Sequence, residues 1–181
     1  MRYFESNALK RAVCTVLFLF AVGLSAFAIL SGNWKVNTDG YEVKFSGGKI
    51  NGTFKGLKAD IQFDKAHPEQ AKISASIDAG SVSTGFFLKN SHAKDALGAE
   101  QYPTISFTST SVAKDAAGYK ATGKLTLKGT TKPATIHFTF DDKGQAGIFK
   151  GELKVIPADF EIDRKGTPTQ VTIYLTVPVV K

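Results

Sequence analysis

From Tyr41 to Val179, run after run of this chain alternates one apolar with one polar residue. That period of two admits little besides antiparallel sheet with one buried and one wet face, because strands buried on both faces read as continuous apolar runs. Tyr41, Val43 and Phe45 alternate with Glu42 and Lys44, and Ile50, Gly52 and Phe54 with Asn51 and Thr53. Ala59, Ile61 and Phe63 are interleaved with Asp60 and Gln62, Ile73, Ala75 and Ile77 with Ser74 and Ser76, and Ile105 and Phe107 with Ser106. The second half repeats the scheme from Tyr119 to Leu127, from Ile136 to Phe140 and from Val171 to Val179.

Turn signals separate these runs at Ser46-Gly47-Gly48, Asp115-Ala116-Ala117-Gly118, Lys128-Gly129 and Asp141-Asp142-Lys143-Gly144. If residues 49–64 form one long strand bent at Gly56, the count, with the strand that carries Gly151 after the last of these turns, is eight. Residues 86–101 break the pattern: Leu88, Lys89, His92, Ala93, Ala96 and Leu97 fit a short helical lid. The sheet can bury its apolar face as a sandwich or by closing, and only closure removes exposed edges. Short hairpin connections favour an all-β, eight-stranded, antiparallel up-and-down barrel. An interior of that size is either filled by side chains or holds one small ligand. Small residues at inward positions, Gly52, Ala59, Ala75, Ala121, Gly123 and Gly151, fit a hollow, or equally bends and close approaches.

The N-terminus is of another kind. Arg2, Lys10 and Arg11 precede an uncharged run from Ala12 to Leu30 that contains Ser25-Ala26-Phe27-Ala28. This is the layout of a secretory signal over residues 1–28, cleaved after Ala28, with an uncleaved membrane anchor as the alternative. Either reading exports the domain at 32–181 from the cytoplasm. Cys14, the one cysteine, would leave with a cleaved signal, so the exported domain has neither disulfides nor thiolate metal sites.

His67, His92 and His137 lie far apart without metal-ligand spacing, so no metal site is expected. No nucleophile elbow, zinc-protease motif, phosphate loop or dinucleotide fingerprint occurs, and the chain is read as a non-enzyme. Of the net charge of +7, the +5 that remains beyond residues 1–28 is modest and spread out, and the aromatic residues fall on the face opposite the lysines. A nucleic-acid surface sets base-stacking aromatics beside its cations, so nucleic acid is not an expected partner.

Several segments together carry a resemblance. They are Gly52-Thr53-Phe54-Lys55-Gly56-Leu57 with Ile61-Gln62-Phe63-Asp64, Ile77-Asp78 with Ser81-Val82-Ser83-Thr84-Gly85, Tyr102-Pro103-Thr104-Ile105-Ser106-Phe107, and residues 123–133 from Gly-Lys-Leu-Thr-Leu to Thr-Thr-Lys-Pro. In order and spacing the chain from Trp34 to Lys181 resembles the YceI-like family of exported, lipocalin-like proteins that hold polyisoprenoid chains in a β-barrel. Many members carry His-Ser near the first strand and Arg-Asp-x-His-Leu before an aromatic pair. This chain reads Asp39-Gly40-Tyr41-Glu42 and Lys89-Asn90-Ser91-His92-Ala93 instead.

The resemblance implies binding, sequestration or transport of a polyisoprenoid or quinone-like lipid. That lipid is the ligand, and no other cofactor is expected. It also implies a setting in envelope stress, while transient membrane contact and a homodimer stay open. The expected wall is Phe45, Phe54, Ile61, Phe63, Phe107, Leu125, Phe138 and Phe140, with His92 near the lid. Two other readings stand beside it: a filled barrel serving as an exported structural or interaction module, and a membrane-tethered accessory of a quinone-handling redox complex.

Overall fold

The computed structural model describes residues 32–181. The expected signal or anchor at 1–28, and Cys14 within it, lie outside the described residues. The strands are β1 (Asn33–Val36), β2 (Glu42–Gly47), β3 (Ile50–Phe54), β4 (Lys58–Gln62), β5 (Lys72–Asp78), β6 (Thr104–Asp115), β7 (Gly118–Leu127), β8 (Thr130–Asp142), β9 (Ala146–Val155) and β10 (Val171–Val180). The α-helix α1 (Phe87–Leu97) lies between β5 and β6.

Ten strand segments make eight staves. Each pairs antiparallel with its neighbours, and β10 runs along β9 on one side and along β1 and β2 on the other, which closes the barrel. β1 and β2 are two halves of one stave, interrupted at residues 37–41. β3 and β4 are likewise halves of the stave that the sequence bends at Gly56, where φ is +74°. The two interruptions meet. The Tyr41 hydroxyl accepts from the Gly56 and Leu57 N–H groups at 2.8 and 3.2 Å, so backbone donors freed by one break are satisfied from the other. β1 adds a segment that alternation does not reveal, since four residues are too few to show a period.

The hairpins form where the turn residues stand. Lys128 and Gly129, with φ of +51° and +75°, make the two-residue loop between β7 and β8, a turn whose twist matches that of its flanking strands. The helix stops at Gly98, which caps it in the left-handed conformation. Asn90 Oδ1 accepts from the Thr84 N–H at 2.6 Å and from the Thr84 hydroxyl at 2.9 Å, tying the first turn of α1 to the segment before it.

Inside, two of the inward glycines mark close approaches and leave no empty space. A β-carbon on Gly52 would lie 2.2 Å from the Ser83 carbonyl oxygen and 2.6 Å from the Phe45 ring. One on Gly123 would lie 2.2 Å from the Thr108 carbonyl oxygen and 2.8 Å from the Phe107 ring. Both glycines permit a close approach of backbone, and an aromatic ring lies over each.

One half of the barrel is filled. Phe63, 1% exposed, meets Tyr119, Phe138, Phe140 and Phe149 edge-on at centroid distances of 5.0 to 5.6 Å. Phe140 stacks on Phe149 at 4.3 Å and takes the edge of Trp34 at 4.9 Å. The indole N–H of Trp34 donates to the Phe63 carbonyl at 3.0 Å. These are the offset and edge-on geometries that aromatic quadrupoles favour, and they plug the end of the barrel that holds the β6–β7 and β8–β9 turns.

Candidate functional site

Above the plug the barrel is open. A cavity of about 680 Å³ occupies the half that carries α1, the β2–β3 and β7–β8 turns and the β9–β10 connection. That size lies within the ~300–1,000 Å³ typical of small-molecule sites. Its wall is built stave by stave: Val43 and Phe45 from β2, Phe54 from β3, Ala75 and Ile77 from β5, and Ile105 and Phe107 from β6. Leu125 and Leu127 come from β7, Ile136 from β8, Leu153 and Val155 from β9, and Val171, Ile173 and Leu175 from β10. Period-two alternation puts every one of these on the inward face.

α1 lies over this space. Ala93, Ala96 and Leu97, at helical spacing, form part of the wall, and His92 stands beside them at the rim. The rim is otherwise set by Lys49 in the β2–β3 turn, Lys89 on α1, and Arg164, Lys165 and Thr167 in the β9–β10 connection. Phe160 and Ile162, both buried, hold that connection down, and Lys128 Nζ donates to the Glu161 carbonyl at 2.7 Å. Among the described residues no carboxylate lines the cavity.

Of the nine residues expected at the site, the structure gathers five around the cavity: Phe45, Phe54, Phe107, Leu125 and His92. Ile61, Phe63, Phe138 and Phe140 point inward but lie outside the cavity wall, the three phenylalanines in the aromatic plug. Alternation distinguishes inside from outside and carries no information about height along the barrel axis. Val43, Ala75, Ile77, Leu127, Leu153 and Leu175 were missed for the same reason. Hairpin direction could have found them, since residues nearest the connection that holds the helix share its level.

The other two histidines stand apart. His67 precedes the 3-10 turn Pro68–Gln70, and His137, on the outer face of β8, is hydrogen-bonded through Nδ1 to Asp115 at 2.8 Å. That bond, helped by the Ala117 and Gly118 N–H groups, holds the Asp115 carboxyl below the usual aspartate range. Among the described residues no three His, Cys, Asp or Glu side chains converge as metal ligands would.

The profile of the YceI-like domain matches residues 34–180. Protein YceI of Escherichia coli is 31% identical over 170 residues, covering 86% of this chain and 89% of its own. Protein YceI of Salmonella arizonae is 33% identical over 138 residues, 72% of each chain. Among solved structures, Burkholderia cenocepacia BcnA superposes with a TM-score of 0.73 at 27% identity, covering 79% of this chain and 98% of its own. A polyisoprenoid binding domain from Saccharophagus degradans shares the fold at a TM-score of 0.59 and 15% identity, covering 81% of this chain and 97% of its own.

Proposed function

This chain belongs to the YceI-like family, and from that premise we propose that it is a non-enzymatic lipid binder whose cavity takes up one extended polyisoprenoid-type chain, a quinone tail or polyprenyl lipid. The observation that carries the reading is the one-ended apolar hollow: about 680 Å³, walled by aliphatic and aromatic side chains, stoppered below by stacked rings and free of carboxylates. The polyisoprenoid binding named for the Saccharophagus degradans domain agrees with this reading, at the level of a shared fold.

A hollow closed at one end dictates orientation. The tail enters first, and any headgroup stays at the rim beside His92, Lys89 and Arg164. Each buried CH₂ contributes about 0.8 kcal/mol, so ten contribute about 8 kcal/mol before ordering costs are subtracted. Affinity then comes from chain length and needs no directional contact in the wall. The expected export places the protein in the periplasm, where it sequesters or carries such lipids. The filled-barrel alternative describes only the plugged half.

The test is native mass spectrometry of protein recovered from its envelope compartment, followed by loading in vitro with a polyprenyl lipid. The expected result is a one-to-one adduct, present on isolation or formed on loading. Protein that is ligand-free as isolated and takes up no polyprenyl lipid would overturn the proposal.

A further inference from the structure

At the cavity mouth three consecutive apolar side chains stand in solvent: Phe86, Phe87 and Leu88, exposed by 65, 85 and 71%. A run of this kind is unfavourable on a freely soluble surface and marks a contact site. It lies at the start of α1, whose backbone there is tied down through Asn90 and Thr84, so the three side chains are presented by an ordered element. The Phe86 ring is itself part of the cavity rim, with Lys89 Nζ 4.9 Å from its centroid.

Around the same opening stand Lys49, Lys89, Arg164 and Lys165. Among the described residues none of the four has a carboxylate within ion-pairing distance, and the lining they share with the cavity contains no Asp or Glu. Arg164 spends one N–H on the Asp95 carbonyl of α1 at 3.4 Å, which holds the charge at the rim without neutralising it. The mouth is thus an apolar tip inside a collar of uncompensated positive charge.

We propose that this lip docks on an anionic bilayer surface, with Phe86, Phe87 and Leu88 in the boundary between headgroups and acyl chains and the four cations on lipid phosphates. Interfacial binding of this kind combines buried apolar area with attraction to anionic lipid and sinks side chains ~5–10 Å deep. The charge pattern selects this occupant: a second copy of the chain would bring the same positive collar against its own. The tip and the cavity mouth coincide, so docking sets the opening of the hollow against the lipid phase. The proposal rests on the lipid-binding reading for its purpose but not for its geometry.

The test uses the protein with its own N-terminal segment, Cys14→Ser, and one environment-sensitive nitrobenzoxadiazole label at Phe87→Cys or, at the opposite end of the barrel, at Lys143→Cys. Vesicles of phosphatidylcholine with phosphatidylglycerol should shift the emission of the label at 87 to the blue and leave that at 143 unchanged. Pure phosphatidylcholine vesicles should give a much smaller shift. In the same format Lys49→Gln and Lys165→Gln should each weaken partitioning about fivefold. Phe86→Ser with Leu88→Ser should abolish the shift at 87, and all three variants should unfold at the wild-type denaturant midpoint because the altered side chains are exposed.

Equal shifts at both labels, no shift at 87, or a shift produced by raising protein concentration without vesicles would overturn the proposal, the last in favour of self-association. Lipid loading from detergent micelles is measured on the same proteins. Loading without docking defeats the lip alone, and docking without loading defeats the lipid-binding reading alone.

Discussion

At Gly52 the backbone of the segment before α1 runs close alongside β3: Thr53 and Ser83 exchange two backbone hydrogen bonds of 2.8 and 2.9 Å as an antiparallel bridge, and no β-carbon fits beneath the Ser83 carbonyl. Gly52→Ala should therefore cost about 1–3 kcal/mol through forced backbone displacement, read as a lower urea midpoint at unchanged slope. An unmoved midpoint would mean that the bridging segment yields freely. Asp115 gives a prediction with a definite sign. Its carboxyl is held below the ordinary 3.8, first by the His137 hydrogen bond. A group depressed in the folded state contributes stability above its unfolded pKa, and that contribution is lost as the pH falls through the folded value. Asp115→Asn should lower the urea midpoint at neutral pH and reduce its fall between about pH 5 and pH 2. A pH profile parallel to that of the wild type would show that the pair contributes nothing. Neither residue announces its role in the sequence, where Gly52 is one small inward residue among six and Asp115 a turn aspartate.

Among the elements, the broken staves depend most on a single side chain. Tyr41→Phe keeps the ring and removes the hydroxyl that accepts from two N–H groups at the bend between β3 and β4. The loss should be about 0.5–1.5 kcal/mol in urea unfolding, the net range for an ordinary hydrogen bond, because one of the two bonds is exposed; a change near zero would show that water replaces the hydroxyl. The bend itself was legible, because Gly56 interrupts a long alternating run. Its partner was not, because Tyr41 reads as one more inward residue. Helix α1 was legible from the loss of period two and from the helical spacing of Leu88, Lys89, His92, Ala93, Ala96 and Leu97, and the structure trims residues 86–101 to Phe87–Leu97. Its exposed first turn escaped notice, since apolar residues in a helical stretch are ordinarily assigned to a buried face.

Across the whole molecule the barrel divides into a solid half and a hollow half, and the sequence question of filled against empty has a different answer at each level. Strand alternation, turn residues and the closure of β10 on β2 were legible, because they are local or follow from the need to remove edges. The division was not, because it depends on which inward rings meet at one height. Substitutions should separate the halves. Phe63→Ala should cost about 3–5 kcal/mol and leave the lipid stoichiometry of the folded fraction unchanged. Ala75→Phe, in the cavity wall, should cut lipid uptake with a much smaller effect on stability. The reverse assignment of effects would exchange the roles of the two halves. A charge at Phe138, which packs on Phe63, would act on folding before it acted on uptake. The most direct measurement is photo-crosslinking with a polyprenyl chain bearing a terminal diazirine, followed by peptide mapping. The account predicts adducts within the cavity wall, on Phe107, Leu125, Leu153 or Leu175, and none on outward residues such as Lys120 or Tyr174. Adducts confined to the outer face, with the cavity wall unlabelled, would contradict it.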